Sequence, residues 1–283
     1  MTKNFLITGV SSGFGRAFAE RALAAGHTVV GTVRRDDDAE AFEALSDDGR
    51  ARAVLLDVTA DDAVLAAVRA VEERLGAIDV LIANAGYGHE GVLEESPMHE
   101  LRRQFDVNVF GAVAVIKAVL PGMRARRSGH VLGVTSMGGL MTVPGLGYYC
   151  GSKFALEAIL ETLGKDVSSF GIHVTAIAPG SFRTDWAGRS MVRTERSIDD
   201  YDELMDPIRA NREAADGNQL GDPGKAAEVV LEVIESDAPP AHLLLGSDAV
   251  RLVTAGRQAV TDEITAWAAV SRSTDLPEGA QIG

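Results

Sequence analysis

Short apolar runs alternate along the chain with longer stretches in which small and aliphatic residues recur at helical spacing. Seven of the short runs predict strands, at residues 5–8, 28–33, 53–57, 80–83, 130–135, 173–178 and 242–245. Runs such as residues 80–82 show no polar alternation, which indicates that both of their faces are buried. The pattern predicts an α/β fold, a single doubly wound (Rossmann) domain with a seven-stranded parallel sheet and helices on both faces.

One domain over residues 1–283 is the simplest organisation, because we find no internal repeat, low-complexity segment or flexible linker. Two stretches break the alternation. Residues from about 181 to 221 are too long for an ordinary strand–helix connection, so we expect a lid over a ligand crevice. The polar tail after about residue 270 is expected to be frayed.

Composition narrows the functional classes. Twenty-seven basic and 41 acidic residues give a net charge of −14, which disfavours nucleic acid and anionic membranes as partners. The longest uninterrupted apolar run, residues 109–116, is far shorter than the roughly 18 to 20 residues of a membrane span. The single cysteine, Cys150, leaves no intramolecular disulfide and no multi-cysteine metal site. We therefore expect no metal, no membrane partner and a cytoplasmic location.

A glycine-rich turn follows the first predicted strand as Thr8-Gly9-Val10-Ser11-Ser12-Gly13-Phe14-Gly15. Glycines let a backbone approach a pyrophosphate closely, and the N-terminus of the next helix favours its negative charge. The TGxxxGxG pattern therefore predicts a phosphate cradle, although it departs from the commoner GxGxxG and a ligand-free tight turn is an alternative. The turn also satisfies GxSxG, the nucleophile elbow of serine hydrolases, at Ser11. Only ten residues precede Ser11, which argues against an elbow.

Two arginines end the second predicted strand, where a dinucleotide site distinguishes its cofactors. An NAD site places an acidic residue about 20 residues after the glycines, whereas an NADP site offers arginine to the 2′-phosphate. Val33 occupies the acidic position, and Arg34 and Arg35 follow it. The guanidinium groups therefore favour NADP(H) over NAD(H). The alternative is that both arginines pair with the aspartates at 36–38 on a solvated loop.

Tyr149 and Lys153 lie four residues apart at the start of a predicted helix, which places them on one face. Tyr148 is five residues from Lys153 and is expected to point elsewhere. An ammonium group about 4 Å away supplies roughly the 4 kcal/mol needed to lower a tyrosine pKa by about three units. The pair is therefore predicted to exchange a proton near neutral pH. A surface tyrosine beside a solvated lysine is the alternative.

These motifs, taken together and in order, resemble those of the short-chain dehydrogenase/reductase family over residues from about 4 to 250. Further motifs that carry the resemblance are Ala83-Asn84-Ala85-Gly86, Asn108 within Asp106-Val107-Asn108-Val109, Ser136 located 13 residues before Tyr149, and Pro179-Gly180 with Thr184. Ala83 stands where the family has asparagine. Residues 31–35 and 243–248 resemble the bacterial branch similar to 17β-hydroxysteroid and retinol dehydrogenases.

The resemblance implies four catalytic residues. Tyr149 would be the general acid/base, and Ser136 would hydrogen-bond the reacting oxygen. Lys153 would hold the nicotinamide ribose and depress the pKa of the tyrosine. Asn108 would hold a backbone group and a water of a proton relay. The implied activity is that of an NADP(H)-dependent oxidoreductase acting on CH–OH groups, and a non-catalytic dinucleotide sensor or the serine hydrolase are the alternatives.

The resemblance also implies a cofactor cleft. Asp57 with Val58 would contact the adenine, and Thr184 would hold the carboxamide. The full set of expected cofactor-binding residues is Gly9, Ser11, Ser12, Gly13, Phe14, Gly15, Arg34, Arg35, Asp57, Val58, Asn84, Ala85, Gly86, Tyr149, Lys153, Pro179, Gly180, Phe182 and Thr184.

The substrate wall is expected to be apolar. Its predicted residues are Met137, Leu140, Met141, Trp186 and Met191, with Phe182 and His89 as further contacts. This lining favours a lipophilic carbonyl compound or secondary alcohol, whereas Arg183, Arg189 and Arg193 leave an anionic substrate open. Helices near residues 109–120 and after Tyr149 resemble the interface helices of the family, which implies a homodimer or homotetramer.

Overall fold

The computed structural model describes residues 2–186 and 188–276. The strands are β1 (Asn4–Thr8), β2 (Thr28–Val33), β3 (Ala51–Leu55), β4 (Val80–Ala83), β5 (Gly88–Glu90), β6 (Gly129–Val134), β7 (Ile172–Pro179), β8 (Met191–Arg193) and β9 (His242–Leu245). The helices are α1 (Gly13–Ala24), α2 (Asp36–Glu43), α3 (Asp61–Leu75), α4 (Met98–Phe105), α5 (Ala112–Arg126), α6 (Gly147–Val167), α7 (Asp202–Ala215), α8 (Pro223–Glu235) and α9 (Ser247–Arg272).

Seven strands form one parallel sheet in the order β3-β2-β1-β4-β6-β7-β9, which confirms the predicted fold. The chain order reverses beside β1, so the loops after β1 and β4 open a crevice at the carboxyl edge of the sheet. The strand predicted at 53–57 is wrong by two residues. It spans Ala51–Leu55 because its register against β2 pairs Ala51 with Val29 and Leu55 with Val33.

The sheet separates two apolar cores. Ile7 of β1 lies in the core formed with α1 and α8, whereas its neighbour Leu6 lies in the core formed with α3, α5 and α6. This division follows from the two-residue period of a strand, which sends successive side chains to opposite faces. Because both faces are covered, the strand sequences are continuous apolar runs.

α4 and α5 are joined by a π-helical turn (Asp106–Gly111) into one continuous helix. This helix is long and apolar enough for a membrane span, with a mean hydropathy of 1.5 over its most apolar window, of which 39% is buried. Val115, Val119 and Met123 enter the core against the sheet. We interpret the segment as a core helix, and the absence of a membrane partner stays a prediction.

Residues 181–221 form a folded insertion. They contain β8 and α7, and β8 pairs in parallel with β5 in a second, two-stranded sheet that the sequence analysis did not predict. The two ends of the insertion meet, because Gly221 N donates to Ser181 O and Arg183 N donates to Gly221 O, both at 3.0 Å. Ala187, within this predicted lid, lies outside the described residues.

α9 continues to Arg272, and its buried residues are Ala249 and Val253. The tail predicted to fray after about residue 270 therefore begins with two residues that are still helical. Residues 277–283 of this predicted tail lie outside the described residues.

Candidate active site

The turn between β1 and α1 requires glycine. Gly9 and Gly13 have φ angles of +73° and +57°, in the left-handed region that other residues rarely adopt. A Cβ atom on Gly15 would lie 2.1 Å from the Gly9 carbonyl oxygen, so glycine is needed for α1 to pack against the turn. The start of α1 therefore lies close to the backbone of Gly9, as expected for the predicted phosphate-binding turn.

The start of α1 fits an anion. The Ser12 side chain at the N-cap makes no capping hydrogen bond, and the first turn contains no acidic residue. The first N–H groups of a helix lack intrahelical partners and carry the positive end of its dipole. Ser11 is exposed beside them. Thr184 lies near Gly13, since a Cβ atom on this glycine would be 3.5 Å from Thr184 Cβ. The residues present therefore fit a pyrophosphate.

Asn84 joins the carboxyl ends of β1 and β4. Its Nδ2 donates to Thr8 O at 2.9 Å and to Gly9 O at 3.0 Å. The backbone N–H groups of Asn84 and Ala85 both donate to Thr8 Oγ1 at 2.9 Å. These bonds hold the loop after β4 beside the glycine-rich turn, so Asn84 and Ala85 shape the crevice. Val58 is buried.

The two arginines after β2 have different surroundings. Arg35 Nε lies 3.2 Å from Asp38 Oδ2, the pairing that the loop alternative expected. Arg34 is exposed and forms no ion pair within the described part of the chain. Hydrogen bonds from Thr59 N and Oγ1 lower the pKa of Asp57, and the positive charge of Arg34 adds to this effect. Arg34 is therefore the arginine available at the predicted 2′-phosphate position.

Ser136 and Tyr149 converge beside Gly138. A Cβ atom on Gly138 would lie 3.5 Å from Ser136 Oγ and 3.5 Å from Tyr149 Cε1. Ser136 follows β6, and its Oγ accepts a hydrogen bond from Gly138 N at 3.1 Å. Tyr149 lies in the first turn of α6 and is buried. The hydroxyl and the phenol thus meet at the carboxyl edge of the sheet, as the resemblance implied.

Lys153 lies one helical turn after Tyr149 on the same face. Its Nζ is 5.8 Å from the centroid of the tyrosine ring and donates to Val134 O at 2.8 Å. Burial lowers the pKa of Lys153 to about 8, with the charge of Glu157 opposing that change. Burial raises the pKa of Tyr149, and its hydrogen bond with Ser136 offsets only part of the rise. The expected depression of the tyrosine pKa is therefore wrong for this arrangement, because the effect of removing the phenol from water is larger than that of its hydrogen bonds.

Asn108 lies on the π-helical turn and is buried. Its Oδ1 accepts from Tyr87 N at 3.0 Å, and its Nδ2 donates to Tyr87 O at 3.0 Å and to Ser152 Oγ at 3.1 Å. A Cβ atom on Gly86 would lie 3.0 Å from Asn108 Oδ1 and 3.5 Å from Lys153 Nζ, so these groups approach one another at Gly86. The four predicted catalytic residues are brought to one site. The π turn itself gave no signal in the sequence, although such turns are frequent at functional sites.

Tyr148 points away from this site. Its hydroxyl donates to Ser96 O at 2.7 Å, which supports the choice of Tyr149 from helical spacing. The ring of His89 stacks on Tyr148 with centroids 5.0 Å apart, and His89 Nε2 contacts Thr194 Oγ1 at 2.9 Å. His89 is 1% exposed, and its place in the substrate wall stays a prediction.

Apolar side chains of the insertion cover the phenol. The rings of Trp186 and Tyr149 have centroids 5.0 Å apart, and Met191 is buried in the same cluster with Leu146 and Cys150. Trp186 and Met191 therefore lie beside the phenol, where the substrate wall was predicted.

The other predicted wall residues have varied positions. Met137 and Leu140 are half-buried after β6, and a Cβ atom on Gly256 of α9 would lie 3.1 Å from Met141 Cβ. Phe182 belongs to a sheet core, with its ring 5.0 Å from that of Phe14. We therefore correct its predicted role as a lid contact, since the side chain anchors the base of the insertion.

Pro179 ends β7, and Gly180 N donates to Leu245 O at 2.8 Å. A Cβ atom on Gly180 would lie 2.2 Å from Asp248 Oδ1, so this turn also needs glycine. Among residues 2–186 and 188–276, no group of three or more His, Cys, Asp or Glu side chains is placed to hold a metal ion.

A buried glutamate fastens the insertion to the rest of the site. Glu90 of β5 accepts hydrogen bonds from Arg209 Nε at 2.7 Å and from Arg212 Nη1 at 2.8 Å. Arg212 Nη2 also donates to Pro144 O at 3.0 Å, which ties α7 to the loop that leads into α6. The Glu90 carboxylate is fully buried. We name this cluster of Glu90, Arg209 and Arg212 the insertion clasp.

The arginines that left an anionic substrate open are engaged within the protein. Arg183 Nε donates to Gln219 O at 2.8 Å, and Arg189 Nη2 pairs with Asp185 Oδ2 at 2.6 Å. Arg193 Nε lies 3.7 Å from Glu90 Oε1. These three arginines therefore interact with other groups of the protein. The surroundings of the Tyr149 phenol are mainly apolar.

Comparison with known proteins identifies the family of the chain. The family model described as short chain dehydrogenase matches residues 3–194. The chain belongs to this family. The crystal structure of a short-chain dehydrogenase from Streptomyces avermitilis is similar with a TM-score of 0.90 and 40% identity, covering 98% of this short-chain dehydrogenase and 100% of that chain.

Two named relatives extend the comparison. Human retinol dehydrogenase 8 is 31% identical over 256 residues, 84% of this chain and 79% of the relative, which confirms the resemblance to retinol dehydrogenases. An NADPH-dependent 3-dehydrocapnine reductase of Ornithobacterium rhinotracheale is 32% identical over 226 residues, 72% of this chain and 80% of the relative. The short-chain dehydrogenase is accordingly an oxidoreductase with a nucleotide-binding fold.

Proposed function

We propose that this short-chain dehydrogenase uses NADP(H) to interconvert a carbonyl compound and a secondary alcohol, with Tyr149 as general acid/base. The observation that carries the proposal is the convergence of the Tyr149 phenol and the Ser136 hydroxyl at Gly138, beside the glycine-rich turn. A dinucleotide sensor on the same fold would have no use for these proton-transfer groups. Family membership and the place of Ser11 in the turn favour the oxidoreductase over the serine hydrolase.

When bound, the nicotinamide cofactor supplies or accepts a hydride. The glycine-rich turn would hold its pyrophosphate, and Arg34 the 2′-phosphate. Asp57 and Val58 would contact the adenine, and Thr184 would hold the carboxamide. Lys153 would hold the nicotinamide ribose.

The protein's own residues handle the proton. Ser136 Oγ donates a hydrogen bond that holds the reacting carbonyl oxygen, and the Tyr149 hydroxyl donates its proton to that oxygen. Because burial raises the pKa of Tyr149, the phenol is protonated at neutral pH and ready to act as an acid. The arrangement therefore supplies the protonated acid that the reduction of a carbonyl compound requires. Asn108 holds the Tyr87 backbone, and its Oδ1 approaches the Lys153 ammonium group at Gly86.

Arg34 is the proposed reader of NADP(H). Replacing Arg34 by alanine should weaken NADPH binding by about 1.5 to 3 kcal/mol, the range for a hydrogen bond to a charged group, and leave NADH binding nearly unchanged. Fluorescence titration with both cofactors measures this difference. Arg35→Ala is the matched control and should have a smaller effect, because Arg35 already pairs with Asp38. The NADPH-dependent relative supports the assignment of Arg34 as the residue that selects NADP(H). Equal use of NADPH and NADH by the wild type would contradict this assignment.

A lipophilic substrate fits the apolar surroundings of the phenol. Trp186, Met191 and Leu146 surround Tyr149, and the nearby arginines are engaged in the insertion. We therefore favour an apolar ketone or secondary alcohol over an anionic one.

The single buried cysteine and the acidic composition support a cytoplasmic location.

We also propose a homodimer or homotetramer. Large apolar residues are exposed where the resemblance placed the interface, with Phe110 58% and Phe154 41% exposed. Phe110 lines an apolar groove with Leu101 and Phe105. Sedimentation at micromolar concentration should give a multiple of the 29.8 kDa chain mass, and Phe110→Glu should shift it toward the monomer. A single 29.8 kDa species for the wild type would contradict this proposal.

The proposed activity is tested by incubating purified protein with NADPH or NADH and a panel of carbonyl compounds, and by the reverse assay with alcohols and NADP⁺. We expect oxidation of NADPH that depends on an apolar ketone. Tight NADPH binding without turnover on any member of the panel would favour the sensor instead.

A further inference from the structure

Glu157 is a buried carboxylate without an assigned role. It lies on α6 four residues after Lys153, and it is 4% exposed. Its carboxylate oxygens make no well-formed hydrogen bond with the described residues, although the side chains of His242 and Thr135 face it. Burying a carboxylate without hydrogen bonds is costly, so such a group calls for an explanation.

The groups that face Glu157 come from three elements. His242 Nδ1 of β9 lies 3.5 Å from Glu157 Oε1, and His242 Nε2 lies 3.7 Å from Glu161 Oε2 one turn further along α6. Burial raises the pKa of Glu157, and His242, the Thr135 hydroxyl and then Arg257 of α9 oppose the rise. His242 is about one-third exposed, so it connects the buried carboxylate to solvent.

The aliphatic part of Glu157 lies beside the segment that follows Ser136. A Cβ atom on Gly139 would be 2.9 Å from Lys153 O and 3.3 Å from Glu157 Cγ, so the segment after Ser136 packs tightly against this part of α6. The Lys153 ammonium is itself buried, and its one hydrogen bond among the described residues goes to the neutral Val134 carbonyl. Glu157 supplies the negative charge that opposes the loss of the lysine proton.

We propose that Glu157, one helical turn after Lys153 on α6, is a positioning residue for Lys153 whose carboxylate stabilises the lysine as ammonium. The inference rests on the proposed function, in which Lys153 holds the cofactor ribose and supports Tyr149. Residues four apart on a helix have Cβ atoms about 6 Å apart, so a unit charge on one shifts the pKa of the other by about 1 to 2 units at an effective dielectric near 20. Removing this negative charge makes the proton on Lys153 easier to lose.

The test is a titration without cofactor or substrate. The chain contains five lysines, and NMR of lysine labelled with ¹³C at Cε resolves them, with Lys153 assigned by its absence in Lys153→Arg. The wild-type Lys153 should titrate near pH 8, and Glu157→Gln should lower its midpoint by about 1 pH unit. Asp166→Asn removes the same charge from an exposed position further along α6 and should shift the Lys153 midpoint by less than about 0.2 unit. An unchanged midpoint in Glu157→Gln, or an equal shift in both variants, would overturn the proposal.

His242→Gln provides a second variant at a partly exposed position should Glu157→Gln fail to fold. It should shift the Lys153 midpoint in the same direction, because His242 opposes the rise in the pKa of Glu157, and no shift would refute the part given to His242. In the reduction assay, the decline of kcat/KM at high pH should move to lower pH in Glu157→Gln. Failure of the wild type to reduce any ketone would refute the proposed function, whereas the lysine titration tests Glu157 independently of turnover.

Discussion

Tyr149→Phe is expected to lower turnover with NADPH and a reducible ketone by a factor of about 10² to 10⁴, the contribution typical of a general acid. The substitution keeps the ring and its contact with Trp186 but removes the hydroxyl that donates the proton. NADPH binding should survive, since the phenol is not proposed to hold the cofactor phosphates. Initial rates together with fluorescence titration of NADPH measure both effects.

Tyr148→Phe is the matched control, because the same atom is removed from the adjacent residue. The Tyr148 hydroxyl donates to Ser96 O, so its loss should cost about 1 kcal/mol of stability and leave turnover nearly intact. Ser136→Ala should act on turnover, whereas Lys153→Ala should weaken both turnover and cofactor binding. Activity retained in Tyr149→Phe but lost in Tyr148→Phe would refute the assignment of the acid.

Glu90→Gln is expected to destabilise the protein by about 3 kcal/mol. Removing one partner of a buried ion pair costs about 3 to 5 kcal/mol, and Arg209 and Arg212 are partly exposed and can turn to water, which places the cost at the lower end. Because this insertion clasp holds α7, amide exchange in residues 191–215 should also accelerate. Thermal unfolding and hydrogen exchange measure the two effects.

The loss in Glu90→Gln should depend on pH in a defined direction. Burial would raise the pKa of Glu90, but hydrogen bonds from Arg212 and Arg209 outweigh it and hold the pKa below its usual value. The stabilisation is therefore present above the unfolded pKa of about 4.3 and is lost as pH falls through the lower folded value. Glu94→Gln, which removes an exposed carboxylate that accepts from Tyr201, should cost less than about 0.5 kcal/mol. Equal losses in both variants would contradict the clasp.

The seven-stranded sheet could be predicted from the sequence because its strands are buried on both faces and read as apolar runs. Only the register against β2 places β3 at Ala51–Leu55, and that register is not a local property. β5 and β8 were missed because each has three residues and its partner lies about one hundred positions away. Such short strands form through tertiary contacts rather than through a periodic pattern.

The active-site residues could be predicted where their spacing along the chain identifies them. The helical interval selected Tyr149 over Tyr148, and family motifs brought Ser136 and Asn108 to the same place. Glu90 gave no signal, because its arginine partners are 119 and 122 residues away and a lone glutamate normally lies in solvent. The tyrosine pKa was mispredicted because spacing reports the nearby lysine but not the burial of the phenol.

Transfer of deuterium from NADPH tests the central claim most directly. NADPH carrying two deuterium atoms at nicotinamide C4 is incubated with the wild type and an apolar ketone that it reduces, and the product is examined by mass spectrometry. The account predicts an alcohol with one deuterium on its carbinol carbon, formed at a rate that Tyr149→Phe reduces by at least about 10². An alcohol without deuterium at that carbon, or labelled product formed equally fast by Tyr149→Phe, would contradict it.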